Sequence, residues 1–194
     1  MVMNDLIRGE DGITRCRWAG SDPLYLAYHD EEWGRPLHGD GALFEMLTLE
    51  GFQAGLSWLT ILRKREAFRS AFASFRIQDV AAFGHDDVER LMGDAGIVRN
   101  RAKIEAAIGN ARAALELGSG GLTELLWSYA PPPRPRRLES FGEMPSETAE
   151  SKALSKELRR RGFRFVGPTI VYAFMQSVGM VDDHLAGCEI TFGA

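Results

Sequence analysis

The sequence has few cysteines and no long apolar run. Its 194 residues include two cysteines, Cys16 and Cys188, so a disulfide framework of the kind found in small secreted proteins is excluded. No apolar run approaches the length of a membrane span, and the first fourteen residues mix acidic with apolar side chains and lack a signal-peptide pattern. We therefore expect a cytoplasmic protein without a membrane segment, built as one large domain or two small ones.

The sequence also lacks an excess of positive charge. It has 23 Lys and Arg against 27 Asp and Glu, which gives a formal net charge of -4. A chain with this balance has no general attraction for nucleic acid, so any DNA binding would depend on local basic clusters and backbone amides. Basic clusters of this kind occur at 63–65 and 157–164.

Convincing strand patterns with a period of two are absent, whereas helical periodicity runs through most of the chain. The spacing of apolar residues and the positions of capping residues, glycines and prolines predict an all-α fold with helices within 42–55, 57–72, 77–84, 86–96, 101–117, 122–130, 146–161 and 168–179. Five prolines between 131 and 145 predict a surface connector at about 130–145, which could separate two helical lobes.

The segment "RGFRFVGP" at 161–168 joins the last two predicted helices. A glycine-containing turn at the start of a helix exposes unpaired N–H groups that suit a phosphate oxygen. Arg159, Arg160, Arg161 and Arg164 would add positive charge beside it. The pattern fits a DNA-binding hairpin, and the alternative is two packed helices with a solvated arginine face.

The second candidate site combines the rare cysteines with histidines. In "HLAGC", His184 and Cys188 stand four residues apart, which on a helix would place both side chains on one face. Together with Cys16 and His29 they would form a Cys₂His₂ set, a normal closed structural zinc site that would tie the two ends of the chain together. The alternative is a pair of buried free thiols and two unrelated histidines.

The third candidate is a concentration of aromatic residues around one acid in the first third of the chain. Its members are Trp18, Tyr25, Tyr28, Trp33, Trp58 and Glu50. Such aromatics usually belong to a core. A carboxylate on the apolar face of a helix is costly unless it is paired, however, and an acid ringed by aromatics suits a flat, cationic or amino-bearing ring.

Four long blocks resemble one known family, DNA-3-methyladenine glycosylase I. The blocks are "RCRWAGSDPLYLAYHDEEWG", "LFEMLTLEGFQAGLSWLTILRKRE", "DAGIVRNRAKIEAAIGNA" and "RGFRFVGPTIVYAFMQSVGMVDDHLAGC", in order from Arg15 to Cys188. The resemblance implies a helix-hairpin-helix glycosylase fold in a single domain, 15–194, preceded by an N-terminal extension, 1–14. It also implies a structural zinc ion (Zn²⁺), with Cys16, His29, His184 and Cys188 as its ligands.

The resemblance further implies an activity. A monomeric enzyme of this kind flips N3-methyladenine out of alkylated double-stranded DNA and hydrolyses its glycosidic bond, leaving an abasic site without cutting the strand. The implied contacts with the flipped base are hydrogen bonds from Glu50 and Tyr28, stacking on Trp58, and a pocket completed by Trp18, Tyr25 and Trp33.

The remaining implied residues contact DNA or the sugar. Leu56 is similar in position to a residue that enters the duplex, and the hairpin residues Arg164, Phe165 and Gly167 would hold the backbone. Asp182, in "MVDDH", stands where many helix-hairpin-helix glycosylases have an aspartate that could stabilise the sugar cation. The alternative role for Asp182 is to cap a helix that carries the last two metal ligands.

Two other functions stay open at this point. A non-catalytic, zinc-stapled module that binds damaged DNA would keep the hairpin and the metal and need no pocket at Glu50. A zinc hydrolase for a small substrate would need an open position on the ion, which a set of four protein ligands does not leave.

Overall fold

The computed structural model describes residues 5–191, most of which are helical. The α-helices are α1 (Pro23–Glu31), α2 (Asp40–Gln53), α3 (Trp58–Ala71), α4 (Ile77–Ala81), α5 (His85–Gly93), α6 (Arg101–Leu115), α7 (Gly121–Trp127), α8 (Ala149–Arg160) and α9 (Pro168–Ser177). Short 3₁₀ turns lie at Arg17–Ala19, Ala73–Phe75 and Phe141–Glu143. In the described part of the chain, no helix is long and apolar enough to cross a membrane.

The predicted helix boundaries are confirmed where a capping residue marks them. The Ser57 hydroxyl accepts a hydrogen bond from the amide of Thr60 at the start of α3, and Thr148 caps α8 in the same way. Pro168 occupies the first turn of α9. Helix α1 was not predicted, although the sequence contains a start signal for it. Asp22 accepts a hydrogen bond from the amide of Leu24, and Pro23 occupies the first helical position.

A small antiparallel hairpin precedes the helices, and here the prediction of a chain without strands is wrong. Strand β1 (Leu6–Arg8) pairs with β2 (Thr14–Cys16), with Leu6 opposite Cys16. Strands of three residues are too short to show a period of two, so the sequence gives no sign of them. The hairpin joins most of the predicted extension 1–14 to the start of the helical domain, and residues 1–4 lie outside the described residues.

Helix α2 lies in the middle of the core. Nine of its fourteen residues are buried, and α3, α6, α7 and α9 all pack against it. A helix that is apolar on nearly all sides is stable only when other elements cover it. Glu50 lies on this helix, so its carboxyl group is held deep in the molecule.

The proline-rich connector and the C-terminal segment form a second, smaller core with β2. Its buried members are Cys16, Leu138, Leu185 and Cys188. The segment 181–190 is irregular and contains a turn, so the expectation that His184 and Cys188 share a helical turn is wrong. The turn still brings the Cys188 thiol to 3.6 Å from Nδ1 of His184.

Candidate active site and metal centre

A cavity of about 210 Å³ lies among the helices. All six residues that the sequence predicts around the base line it, and the structure adds five more. The lining residues are Trp18, Tyr25, Tyr28, Trp33, Glu50, Gln53, Trp58, Met144, Ala173, Gln176 and Ser177. Helices α1, α2, α3 and α9 supply most of these side chains, so the cavity lies where four helices meet.

The aromatic walls of the cavity support one another. Ring centroids are 4.8 Å apart for Trp18 and Trp33, 5.1 Å for Trp18 and Tyr25, and 5.4 Å for Tyr28 and Trp58. These tilted and edge-on arrangements are the favourable geometries for aromatic pairs. The rings are therefore both core and cavity wall, and a flat ligand would meet surfaces that are already fixed.

Among the described residues that line the cavity, Glu50 is the only acidic one. It is 3 % exposed, and its Oε1 accepts a hydrogen bond from the hydroxyl of Ser177 at 2.5 Å. Burial raises the pKa of Glu50 to about 7, and the hydrogen bond from Ser177 lowers it in part. Among residues 5–191, no Arg, Lys or His side chain forms an ion pair with this carboxyl. The cavity therefore offers a negative charge without a cation of its own.

Tyr28 and Trp58 lie next to this acid and carry buried polar groups. Burial, and after it the charge of Glu50, raise the pKa of Tyr28 well above its ordinary value, so its phenol keeps its proton and is able to donate it in a hydrogen bond. The indole Nε1 of Trp58 is buried and has no hydrogen-bond partner in the described part of the protein. Both groups can pair with a polar ligand in the cavity.

The neighbouring aspartates Asp182 and Asp183 have different environments. Asp182 lies outside the cavity lining, with 42 % of its side chain exposed and Arg137 at 2.9 Å. Its Oδ1 accepts the amide of His184, so it caps a turn rather than the helix that was expected. Asp183 is fully buried, and its Oδ2 accepts a hydrogen bond at 2.8 Å from Nε2 of Gln176. It is thus Asp183 that orients a side chain of the cavity wall.

The two cysteines and two histidines predicted as metal ligands come together and are all buried. One ligand atom from each of Cys16, His29, His184 and Cys188 lies within 4.8 Å of the others. The Cys188 sulfur is 3.8 Å from Nε2 of His29 and 3.6 Å from Nδ1 of His184. A tetrahedral ion with bonds of about 2.0 Å to nitrogen and about 2.3 Å to sulfur separates its ligands by about 3.3 to 3.8 Å, which these distances match.

Both histidines of this cluster have their second ring nitrogen engaged. Nδ1 of His29 is 2.7 Å from Oδ1 of Asp30, and Nε2 of His184 is 3.0 Å from the carbonyl oxygen of Trp33. Contacts of this type fix ring orientation and tautomer in metal sites. Arg15 binds both Asp30 and Asp11, which connects the β-hairpin to the same cluster.

The candidate DNA-contacting residues lie in two loops. The turn 54–57 follows α2 and carries Leu56, which is 41 % exposed. The segment 161–167 joins α8 to α9, exposes Arg164 and holds Phe165 at a φ of 55°, in the left-handed region. The predicted turn before α9 is therefore present, with its arginine on the surface.

Five lining residues escaped the sequence analysis. They reach the cavity from α2, the connector and α9, and they are Gln53, Met144, Ala173, Gln176 and Ser177. Met144 and Gln176 meet each other across 32 residues of sequence, and Ser177 meets Glu50 across 127. Contacts over such distances leave no local pattern to read.

Comparison with known proteins gives one consistent result. The model of the methyladenine glycosylase family matches residues 18–191. DNA-3-methyladenine glycosylase 1 of Escherichia coli (strain K12) is 51 % identical over 179 residues, which cover 91 % of this chain and 96 % of that protein. A crystal structure of 3-methyladenine DNA glycosylase I superposes with a TM-score of 0.87 at 48 % identity and covers 90 % of this chain and 98 % of its own. A variant of 3-methyladenine DNA glycosylase I, solved in complex with 3-methyladenine, has a TM-score of 0.86 at 38 % identity, with 92 % and 98 % covered.

Proposed function

The chain belongs to the methyladenine glycosylase family, and we propose that it hydrolyses the N-glycosyl bond of N3-methyladenine in alkylated DNA, leaving an abasic site. The observation that carries this function is the buried carboxyl of Glu50 in an aromatic cavity whose lining, in the part of the chain that the structure describes, includes no Arg, Lys or His side chain to balance it. A methylated purine is flat and positively charged, and it fits both features of the cavity.

In this reaction the enzyme must mainly select the methylated base, and it has little need to protonate the leaving group. Methylation at N3 places a positive charge on the adenine, which weakens the glycosidic bond before the enzyme acts. The protein must draw the base out of the stack, at a cost of a few kcal/mol, and hold it better than plain adenine. The Glu50 carboxylate attracts the charged, amino-bearing ring, while Trp58 and its neighbours contact the ring faces. Water then attacks the oxocarbenium-like sugar.

The composition of the cavity supports simple hydrolysis. A strand-cleaving glycosylase needs an amine that attacks the sugar, and the lining residues of the described chain include no lysine. Lys103, the most buried lysine, instead donates to the carbonyl oxygens of Phe52 and Ala54. We therefore propose a monofunctional enzyme. We also propose, as for the family it resembles, that it acts as a monomer in the cytoplasm.

We also propose that Cys16, His29, His184 and Cys188 hold a zinc ion. Their spacing, their burial and the two hydrogen-bonded histidines support this assignment. Four protein ligands would leave no position for water, so the ion would supply cross-linking of the chain and no chemistry at the sugar. The same reasoning disfavours a zinc hydrolase for a small substrate.

DNA binding is proposed for two loops, the turn 54–57 and the segment 161–167. The segment 161–167 would act as the hairpin of a helix-hairpin-helix unit, with the backbone at Phe165 and Gly167 and the charge of Arg164 directed to phosphate. Leu56 would enter the space that the flipped base leaves. The apolar side chain of Leu56 is among the few large ones exposed in the described chain, which supports this role.

The function is tested by incubating the protein with methylated DNA and measuring released 3-methyladenine by mass spectrometry. We expect release that rises between about pH 6 and pH 8, because Glu50 must lose its proton and its pKa is about 7. Glu50→Gln should lower release about 100-fold at pH 8, as loss of an ionic hydrogen bond predicts, and should abolish the pH dependence.

Binding to DNA with an abasic analogue is the control, and Glu50→Gln should leave it nearly unchanged. Tight binding to damaged DNA without any base release by the wild-type protein would contradict the enzyme and favour the damage-binding module.

A further inference from the structure

The hydroxyl of Ser177 lies within hydrogen-bond distance of the Glu50 carboxyl and of a backbone carbonyl oxygen, and it also forms a hydrogen bond with the phenol of Tyr28. Its Oγ is 2.5 Å from Oε1 of Glu50 and 2.9 Å from the carbonyl oxygen of Ala173, one turn earlier in α9. Ser177 is 4 % exposed and lines the cavity together with Glu50. A serine hydroxyl has one proton and two lone pairs, so it donates fully to one acceptor at a time.

The two acceptors correspond to the two charge states of Glu50. When Glu50 is ionised, it accepts the Ser177 proton. When Glu50 is protonated, its own O–H can donate to Oγ of Ser177, whose proton then turns to Ala173. Either way both buried groups are hydrogen-bonded, and an unpaired buried polar group would be costly.

The groups around Glu50 leave this role to Ser177 alone. Helix α1 presents the phenols of Tyr25 and Tyr28, whose pKa values are raised by burial and by the charge of Glu50, while a hydrogen bond with Ser177 lowers the pKa of Tyr28 in part. Helix α3 presents the indole of Trp58, and α9 presents the amide of Gln176 beside Ser177. Among the described residues, Ser177 forms the hydrogen bond that opposes the effect of burial on the pKa of Glu50.

We propose that Ser177 is a positioning residue that orients the Glu50 carboxylate into the cavity and favours its charged form for the cationic base. The proposal rests on the proposed function and deepens it. Ser177 does not contact the reacting atoms in this assignment. Its action runs through Glu50, so its loss must change when Glu50 titrates as well as how fast base is released.

Ser177→Ala is the test, and two measurements on the full-length protein report on it. The first is the titration of the Glu50 carboxyl carbon by ¹³C NMR, assigned with Glu50→Gln. The second is the pH profile of base release. The free energy of a hydrogen bond to a charged group is large enough to shift the titration midpoint of a carboxyl by about one pH unit or more. We expect both midpoints to move upward by that amount, so that release falls about fivefold at pH 7 and recovers by about pH 9.

Two further variants separate positioning from simple loss of structure. Ser151→Ala removes another fully buried hydroxyl, at the start of α8 and away from the cavity, and should leave both midpoints unchanged. Ser177→Thr keeps the hydroxyl and should restore the wild-type midpoint. If the alanine variant is poorly folded, the titration midpoint of Ser177→Thr still tests whether the hydroxyl sets the charge of Glu50.

The outcomes distinguish this proposal from the proposed function. An unchanged NMR midpoint in folded Ser177→Ala, or a loss of release by one factor at every pH, overturns the role of Ser177. Absence of base release by the wild-type protein overturns the proposed function. In that case the NMR titration still decides whether Ser177 controls the charge of Glu50.

Discussion

At the scale of single residues, Glu50 is placed for binding at the expense of stability. Its carboxyl is buried with one hydroxyl as its hydrogen-bond partner, and burial raises its pKa from 4.5 to about 7. A group that binds protons more tightly in the folded state makes the free energy of unfolding fall as pH rises between those two values. Above about pH 7 the ionised carboxyl therefore destabilises the fold by about 3 kcal/mol.

Glu50→Gln should accordingly stabilise the protein while it inactivates it. The amide keeps the shape of the side chain and carries no charge, so we expect the free energy of unfolding to rise by about 2–3 kcal/mol at pH 8. At pH 4 the wild-type carboxyl is largely protonated in both the folded and the unfolded state, and the difference should nearly vanish. Urea denaturation of both proteins at the two pH values measures this. Equal stability at pH 8 would show that Glu50 is paired or solvated in solution.

At the scale of elements, α6 supports both loops that we assign to DNA. Lys103 donates to the carbonyl oxygens of Phe52 and Ala54, which fixes the end of α2 just before Leu56. Two turns further along α6, the side chain of Asn110 accepts the amide of Arg164 at 2.8 Å and donates to its carbonyl oxygen at 3.0 Å. One helix therefore sets the distance between the turn 54–57 and the segment 161–167.

Asn110→Ala should weaken DNA binding without affecting the cavity. Loss of the two hydrogen bonds to Arg164 frees the segment 161–167, and we expect the dissociation constant for DNA with an abasic analogue to rise about tenfold. Binding of free 3-methyladenine, followed by tryptophan fluorescence, should stay unchanged. Glu105→Ala, on the exposed face of the same helix, is the matched control. Unaltered DNA binding by Asn110→Ala would exclude the segment from the DNA interface.

The comparison of predicted with observed helices shows which features the sequence could predict and which it could not. The helices with strong caps or clear periodicity were predicted, because their signals are local. The aromatic residues and Glu50 were predicted as a group, because they are concentrated in a short stretch that folds as α1, α2 and α3. Lys103, Asn110 and Ser177 were missed, because their contacts join segments that are remote in sequence.

The cluster of two cysteines and two histidines was predicted by a partly incorrect route. The expected helical turn between His184 and Cys188 is an irregular segment in the structure. The set was found nonetheless, because both cysteines of the chain belong to it. Rarity of a residue type is informative even where the assumed local geometry is wrong.

At the scale of the whole molecule, the Cys₂His₂ cluster joins the first and last described segments. Cys16 ends the β-hairpin and His29 lies in α1, whereas His184 and Cys188 come from the C-terminal segment. The backbone adds to this junction, since the amide of Glu189 donates to the carbonyl oxygen of Thr14 at 2.8 Å. With zinc bound, the domain would be closed into a loop that spans nearly its whole length.

Removal of the proposed zinc should therefore lower the melting temperature of the entire domain. Structural zinc contributes several kcal/mol to folding, so we expect Cys188→Ser, or treatment with a strong chelator, to lower the melting temperature by about 10 °C or more. His85→Ala alters an exposed histidine and should change nothing. Metal analysis of the purified protein should give one zinc per chain. A metal-free protein with an unchanged melting temperature would contradict the assignment.

The position of the last two ligands has a consequence for synthesis on the ribosome. Glu50, Trp58 and the helices around them emerge early, but His184 and Cys188 emerge only after nearly all of the domain has been made. A polypeptide released too soon would contain most of the pocket and half of the ligand set. With two of the four proposed ligands missing, such a product would lack the cross-link that zinc would supply and would be more open to proteases.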